Sequence, residues 1–307
     1  MSGKIKFAHI GDLHFWHVPL NPFLLFSKRL LGVGNLLVGG RARRFRKELA
    51  PLLAAKLKTL DVLAHLFSGD FSTTSLPHEF EQASHQFSGF PDHAKFYAVP
   101  GNHDCYITSE LSGRAFARGL TQRFNPETAI SLTELSPQIG LLRINATTSN
   151  GLAAHGRITP QHLAFLAQHR EQIVRDFGHL IVLCHFPPED PPGVLKHDRG
   201  PQLLNAKPLL EFIADLPLPV LWLHGHHHYR WLFGSPTVAN LTYVNGGAPL
   251  MRFAGGAPDL GFHEIEFIEN IPIIRTHYRD AHREDWKSVE TDLPKSGKFI
   301  DLQKLQK

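Results

Sequence analysis

Five times along the chain, an apolar run of strand length stops at Gly, Pro, His or Asp. Residues 5–10 end at Gly11-Asp12, 66–68 at Gly69-Asp70, and 95–99 at Pro100-Gly101-Asn102. Residues 180–184 run into His185, and 220–223 into a cluster with histidine at His224, His226, His227 and His228. Short apolar runs closed by such breakers read as buried strands. Between them the apolar spacing lengthens to a helical period, over residues 44–60, 160–177 and 208–216. The second of these helices opens on Thr159 as N-cap, with Pro160 at its first position. Strands alternating with helices predict an α/β layered fold.

The last third reads differently. Residues 237–245 and 262–278 are rich in β-branched and aromatic side chains and lack helical spacing, so they predict further strands, assigned to a second sheet. Residues 284–307 are polar and lysine-containing and read as a loosely held tail. There is no internal repeat and no low-complexity segment.

Composition narrows the class. The chain has 307 residues, 42% hydrophobic and 20% charged, with a formal net charge of +4. This is globular composition with enough apolar residues for a sizeable core. The charge is too small to indicate nucleic-acid binding without a patch, and no broad basic track with stacking aromatics is evident. Two cysteines, Cys105 and Cys184, make no disulfide framework and favour a reducing compartment. The N-terminal MSGKIKFAHI lacks the apolar core of a secretory signal, and there is no run of 18 apolar residues to span a membrane. A cytoplasmic location is the expectation.

The chemistry gathers at the strand ends, where α/β sheets carry their sites. Asp12-x-His14, Gly69-Asp70, Gly101-Asn102-His103-Asp104, His185 and Gly225-His226-x-His228 all fall there. Each alone has an ordinary explanation: a turn, a helix cap, a satisfied histidine. The histidine cluster is the sharpest single piece, because imidazole is the commonest metal ligand. Five such blocks in this order, each closing a strand, are not five accidents.

The set resembles the calcineurin-like metallophosphoesterase family over about residues 5–245. With its opening F-A-H-I-G-D-L-H, it looks most like the branch holding class III cyclic nucleotide phosphodiesterases and related bacterial phosphohydrolases. The resemblance implies a four-layer α/β/β/α fold with two facing mixed sheets, in one domain over 1–283. It implies two metal ions: one held by Asp12, His14 and His228, the other by Asn102, His185 and His226, with Asp70 bridging both. Mixed oxygen and nitrogen ligands suit Mn, Fe or Zn. The implied nucleophile is a hydroxide between the metals. His103 would face the substrate, to steady phosphoryl charge or protonate the leaving oxygen, with Asp104 behind it fixing its orientation. His227 would be the variable position and His224 a support for the loop. Residues 71–75, polar and uncharged, depart from the acidic or glycine-rich stretch of many relatives, which puts substrate contacts in doubt. Cys105 and Cys184 fall outside the ligand positions and read as small buried side chains.

One segment carries a hint about substrate. Between Leu13 and Lys47 there is no acidic residue, while Lys28, Arg29, Arg41, Arg43, Arg44, Arg46 and Lys47 alternate with apolar side chains. Residues 18–47 thus form a basic, apolar insertion directly after His14. Three readings stand: an insertion packed on the domain, a surface for anionic lipid or a lipid-linked phosphate, and a lid or dimer contact. Farther on, Lys196 and Arg199 are further candidates to meet a substrate phosphate, against the plainer reading of a solvated loop. The expected activity is di-metal hydrolysis of a phosphate ester, a phosphodiester favoured. The alternatives are a lipid-linked pyrophosphatase of the UDP-diacylglucosamine hydrolase type and a phosphoesterase-fold scaffold without turnover.

Overall fold

The structure, a computed structural model, describes residues 4–19, 21, 23, 28–107, 109–121, 123–148, 155–193, 202–252, 259–280 and 285–304. In chain order its elements are β1 (Ile5–Ile10), α1 (Arg29–Leu37), α2 (Arg41–Arg44), α3 (Ala50–Lys58), β2 (Ala64–Phe67), α4 (Pro77–Gln86), β3 (Lys95–Ala98), α5 (Ser109–Leu120), β4 (Asn125–Pro126), β5 (Ile130–Ser136), β6 (Gln138–Ile144), β7 (Gly156–Arg157), α6 (Pro160–Asp176), β8 (Phe177–Leu183), β9 (Leu203–Leu204), α7 (Lys207–Ala214), β10 (Val220–His224), β11 (Arg230–Gly234), β12 (Leu241–Gly246), β13 (Asp259–Ile268), β14 (Ile271–Asp280), β15 (Lys287–Asp292) and β16 (Phe299–Asp301).

Among the described residues these strands form two seven-stranded sheets, ordered β15-β14-β13-β1-β2-β3-β4 and β16-β11-β12-β10-β8-β6-β5, and a small parallel pair, β7-β9. In the first, β1 to β4 run parallel and β13 to β15 antiparallel. In the second, β6, β8, β10 and β12 run parallel, flanked by antiparallel β5, β11 and β16. Both are therefore mixed.

The two-residue alternation of a strand explains why both sheets are buried on both faces. In β10, Leu221 and Leu223 enter the cluster between the sheets, while Val220 and Trp222 enter the one beneath the outer helices. In β1, Phe7 points between the sheets and Ala8 and Ile10 point to the other side. Three apolar clusters result: one under α3, α4 and α5, one between the sheets, and one under α6 and α7. That gives the four layers α/β/β/α. Both cysteines are free and buried, and burial pushes each thiol up to about 12.

Three expectations change. The last third does not build only the second sheet. β12 joins it beside β10, but β13 and β14 pair antiparallel with β1 in the first. Nor do the described residues of the expected tail over 284–307, residues 285–304, hang loosely: β15 lengthens the first sheet, β16 pairs with β11 in the second, and Leu302 is fully buried. The polar composition there reflects sheet edges, where one face meets water. Finally, the helix expected over 44–60 is shorter. Phe45 is extended, buried and bridged to Met251, so the chain re-enters helix through a 3-10 turn over Lys47–Leu49 that leads into α3, whose first turn carries Pro51. Thr159 does cap α6, accepting the His162 N–H. Among the described residues no helix is long and apolar enough to cross a membrane.

Candidate metal centre

Because the parallel strands of each sheet run the same way, their carboxyl ends deliver side chains to one edge of the sandwich. β1 delivers Asp12 and His14, β2 Asp70, β3 Asn102 to Asp104, β8 His185, and β10 His226 and His228. His14 Nε2 lies 3.0 Å from His228 Nε2 and 3.5 Å from Asp70 Oδ2. His185 Nε2 lies 3.5 Å from the same Asp70 oxygen and 3.1 Å from Asn102 Oδ1. His226 Nδ1 lies 3.0 Å from that Asn102 oxygen. Two groups therefore have metal-ligand spacing: His14, Asp70 and His228, and Asp12, Asp70 and His185. Asp70 belongs to both.

All seven expected ligands converge. Asp12 is the exception in detail: the spacing groups it with Asp70 and His185 rather than with His14 and His228. Its Oδ1 accepts the His226 N–H at 3.1 Å, which ties β1 to the histidine loop. Its Oδ2 is buried and lacks a hydrogen-bond partner.

The backbone is bent to hold this set. His14 (φ 50°), Asp70 (φ 54°), His226 (φ 72°) and His228 (φ 63°) all occupy the left-handed region. For side-chain-bearing residues this costs on the order of 1–3 kcal/mol each, and such strain clusters at functional sites. Two glycines leave room for the carboxylates. A Cβ on Gly225 would stand 2.4 Å from Asp12 Oδ1, and one on Gly101 would stand 2.1 Å from Asp70 Oδ1. The glycines of both G-N-H-D and G-H-x-H are thus steric requirements.

Electrostatics agrees with the geometry. Burial pushes Asp70 up to about 7, partly opposed by the His103 N–H and by Arg41. Asp12 is raised well above its usual range, by burial and then by Asp70. Burial lowers His185 to about 4 and His228 to about 3, and lowers His14 and His226 well below the ordinary value. Buried carboxyls crowded together and imidazoles kept neutral are what a cation would stabilise. The orphaned Asp12 oxygen and the opposed nitrogens of His14 and His228 fit metal ions as well.

The backbone orients the rings. Ser68 O lies 2.8 Å from His185 Nδ1, and Thr73 O 2.8 Å from His103 Nδ1. Gln202 Oε1 is 2.9 Å from His226 Nε2. This corrects the role expected of Asp104. Its carboxylate is not on the His103 ring; it accepts the N–H groups of Phe71, Ser72 and Gly101 and the Ser72 hydroxyl. It clasps the Asp70 loop to the Asn102 loop, while Thr73 aims His103. His224 is buried behind the loop, and His227 turns to Asp190 at 2.6 Å, outside both ligand groups.

Residues 28–47 of the insertion roof the centre. Arg29 donates to the carbonyls of Thr74 and Ser75, and Trp16 Nε1 to that of Phe45. Phe45 packs on the His14 ring at 4.2 Å, and Arg41 Nη2 lies 3.1 Å from His103 Nε2. Arg41 was one basic residue among the seven of this insertion, with nothing in the sequence to single it out. Lys196 and Arg199 lie outside the described residues.

Facing sheets with one carboxylate shared between two nitrogen-oxygen clusters define the class: a di-metal hydrolase fold. The chain belongs to the calcineurin-like phosphoesterase family, whose profile matches residues 5–230. This is a family of metal-dependent phosphoesterases. Among solved structures, the chain is similar to a dimetal phosphatase from Danio rerio, at 12% identity and TM-score 0.60, covering 93% of this chain and 98% of that one. It is also similar to GAP50 of Plasmodium, described as the anchor in the inner membrane complex, at 13% identity and TM-score 0.50, covering 99% and 93%. Both likenesses are of fold. The comparison with curated proteins returned no match.

Proposed function

We propose that the protein hydrolyses a phosphodiester at this centre, with Mn, Fe or Zn as the metal ions. The observation that carries the reading is Asp70, common to two groups of metal-ligand spacing. His14 and His228 would hold one ion with Asp70; His185, with Asn102, His226 and Asp12, would hold the other. When bound, the ions supply Lewis-acid stabilisation of phosphoryl charge and an activated water as nucleophile. His103 presents Nε2 to the site, since Nδ1–H donates to Thr73 O. There it serves the leaving oxygen. The motif likeness to class III cyclic nucleotide phosphodiesterases supports a diester.

The test is hydrolysis of bis-p-nitrophenyl phosphate beside p-nitrophenyl phosphate by protein stripped with chelator and reloaded with Mn²⁺. Metal-restored diester cleavage with little monoester cleavage is expected. Monoester preference would overturn the diester assignment, and inactivity on both with metal bound would count against turnover.

A second reading, a lipid-linked pyrophosphate substrate for a cytoplasmic protein peripheral to the membrane, is favoured by one observation. The roof turns Leu30, Leu31, Leu37 and Val38 outward, with Val38 91% exposed, beside the exposed Arg43 and Arg44. Apolar and basic side chains together suit an anionic lipid surface. Flotation with phosphatidylglycerol vesicles tests it: protein that stays at the bottom of the gradient rules the membrane contact out.

A further inference from the structure

We infer that Arg41, supplied by the insertion, is the residue that binds a non-bridging oxygen of the substrate's phosphoryl group. The inference rests on the phosphoesterase reading above and adds to it a specific contact from outside the metal-ligand motifs.

Arg41 opens α2, just after Gly40, whose φ is 69°. It is partly buried, while its helical neighbours Arg43 and Arg44 are exposed. Its guanidinium carbon stands 5.6 Å from the centre of the Phe45 ring, which itself lies 4.2 Å from the His14 ring and 5.7 Å from that of His228. Its Nη2 is 3.1 Å from His103 Nε2, and the His103 backbone N–H donates to Asp70 Oδ1. The fork is thus one side chain away from the shared carboxylate.

Three features say that this cation awaits an anion. Among the described residues, no carboxylate lies within ion-pairing distance of it, although Asp70 attracts it at longer range. Shielding a guanidinium from water without a partner is costly. Among the described residues, one of its five N–H donors is engaged, by His103. Nor is Arg41 needed to aim His103, which Thr73 O and the stacked Tyr106 ring, 5.5 Å away, already fix. A planar fork beside a di-metal centre matches two oxygens of a phosphoryl group.

The experiment uses the full chain loaded with Mn²⁺ and compares wild type with Arg41→Gln, Arg41→Lys and Arg44→Gln. Metal content is read by elemental analysis, inorganic phosphate affinity by calorimetry, and kcat and KM on bis-p-nitrophenyl phosphate. Arg41→Gln should keep its metal and weaken phosphate binding by about 10- to 100-fold, the worth of a charge-assisted hydrogen bond. KM should rise with it, Arg41→Lys should recover part of the loss, and Arg44→Gln should match wild type. Unchanged phosphate affinity in Arg41→Gln, with only kcat reduced, would overturn the inference and leave Arg41 as a support for His103. An equal loss in Arg44→Gln would overturn it too, by showing a diffuse field effect. Wild-type protein that holds metal but binds no phosphate would take down the phosphoesterase reading itself.

Discussion

His103 and Asp70 sit side by side in this site and should fail in different ways. Asp70 offers its carboxylate to both ligand groups, so Asp70→Ala should empty the centre and abolish activity. His103 lies outside both groups, and its ring is aimed by Thr73 O. His103→Gln should keep wild-type metal content while kcat falls by about 10²–10⁴, the usual contribution of a positioned acid or base. Elemental analysis beside steady-state kinetics checks both, and loss of metal from His103→Gln would make it a ligand. What could be read in advance at this scale was residue type: carboxylates, an amide and imidazoles at strand ends. Two features were not legible. The carbonyls of Ser68 and Thr73 orient the rings, and every residue has a carbonyl. The left-handed φ of His14, Asp70, His226 and His228 is imposed by tertiary structure against local preference. Asp104 was legible as important but not in its role, because a side chain's hydrogen-bond partners depend on which loops meet.

Among the elements, the central parallel strands were the easiest to read, since burial on both faces makes them continuous apolar runs. The edges were the hardest. β15 is polar because it edges its sheet and none of its residues is buried, and β16 is only three residues long, so the composition around them looks like that of a tail. The burial of Leu302, just past β16, shows how much that edge matters. It is fully buried in the cluster between the sheets, and its N–H donates to Arg230 O. Leu302→Ala should therefore cost about 2–5 kcal/mol, the range for a large-to-small change in a core. Urea unfolding followed by circular dichroism would show it; a change within 0.5 kcal/mol, roughly the effect of an ordinary surface substitution, would restore the tail reading. The insertion is the other element that pattern alone left open. Its alternation of basic and apolar residues fitted packing on the domain, a lipid surface, and a lid or dimer contact. The structure divides these by side chain: Phe45, Leu36 and Arg29 pack inward, and Leu30, Leu31 and Leu37 of α1 face out.

For the whole molecule, the two sheets are joined at their centre by a buried histidine outside the metal site. His263 on β13 donates Nε2–H to Asn245 O on β12, in the opposite sheet, and Thr276 Oγ1 lies 3.0 Å from its Nδ1. Burial, then Arg230 and His277, lower its pKa to about 3, against the Asn245 contact, which raises it. It therefore stays neutral in the fold, while the unfolded chain takes up a proton below about 6.5. The folded pKa is the depressed one, so the stability it contributes is whole above about 6.5 and is lost as pH falls toward 3. At pH 5 the loss amounts to about 2 kcal/mol. Asp104, pushed up to about 7, acts in the opposite sense: its contribution is whole below its unfolded pKa and is lost as pH rises through about 7. The wild-type profile in metal-free protein mixes both directions, so the difference between two proteins is the clean measurement. His263→Gln keeps an N–H for Asn245 and an acceptor for Thr276 but cannot titrate. Urea midpoints at pH 7.5, 6 and 5 should show the variant losing less stability on acidification, by about 2 kcal/mol at pH 5. Parallel profiles for the two proteins would mean that His263 titrates alike in the folded and unfolded chain, and that the link between the sheets does not depend on its staying neutral.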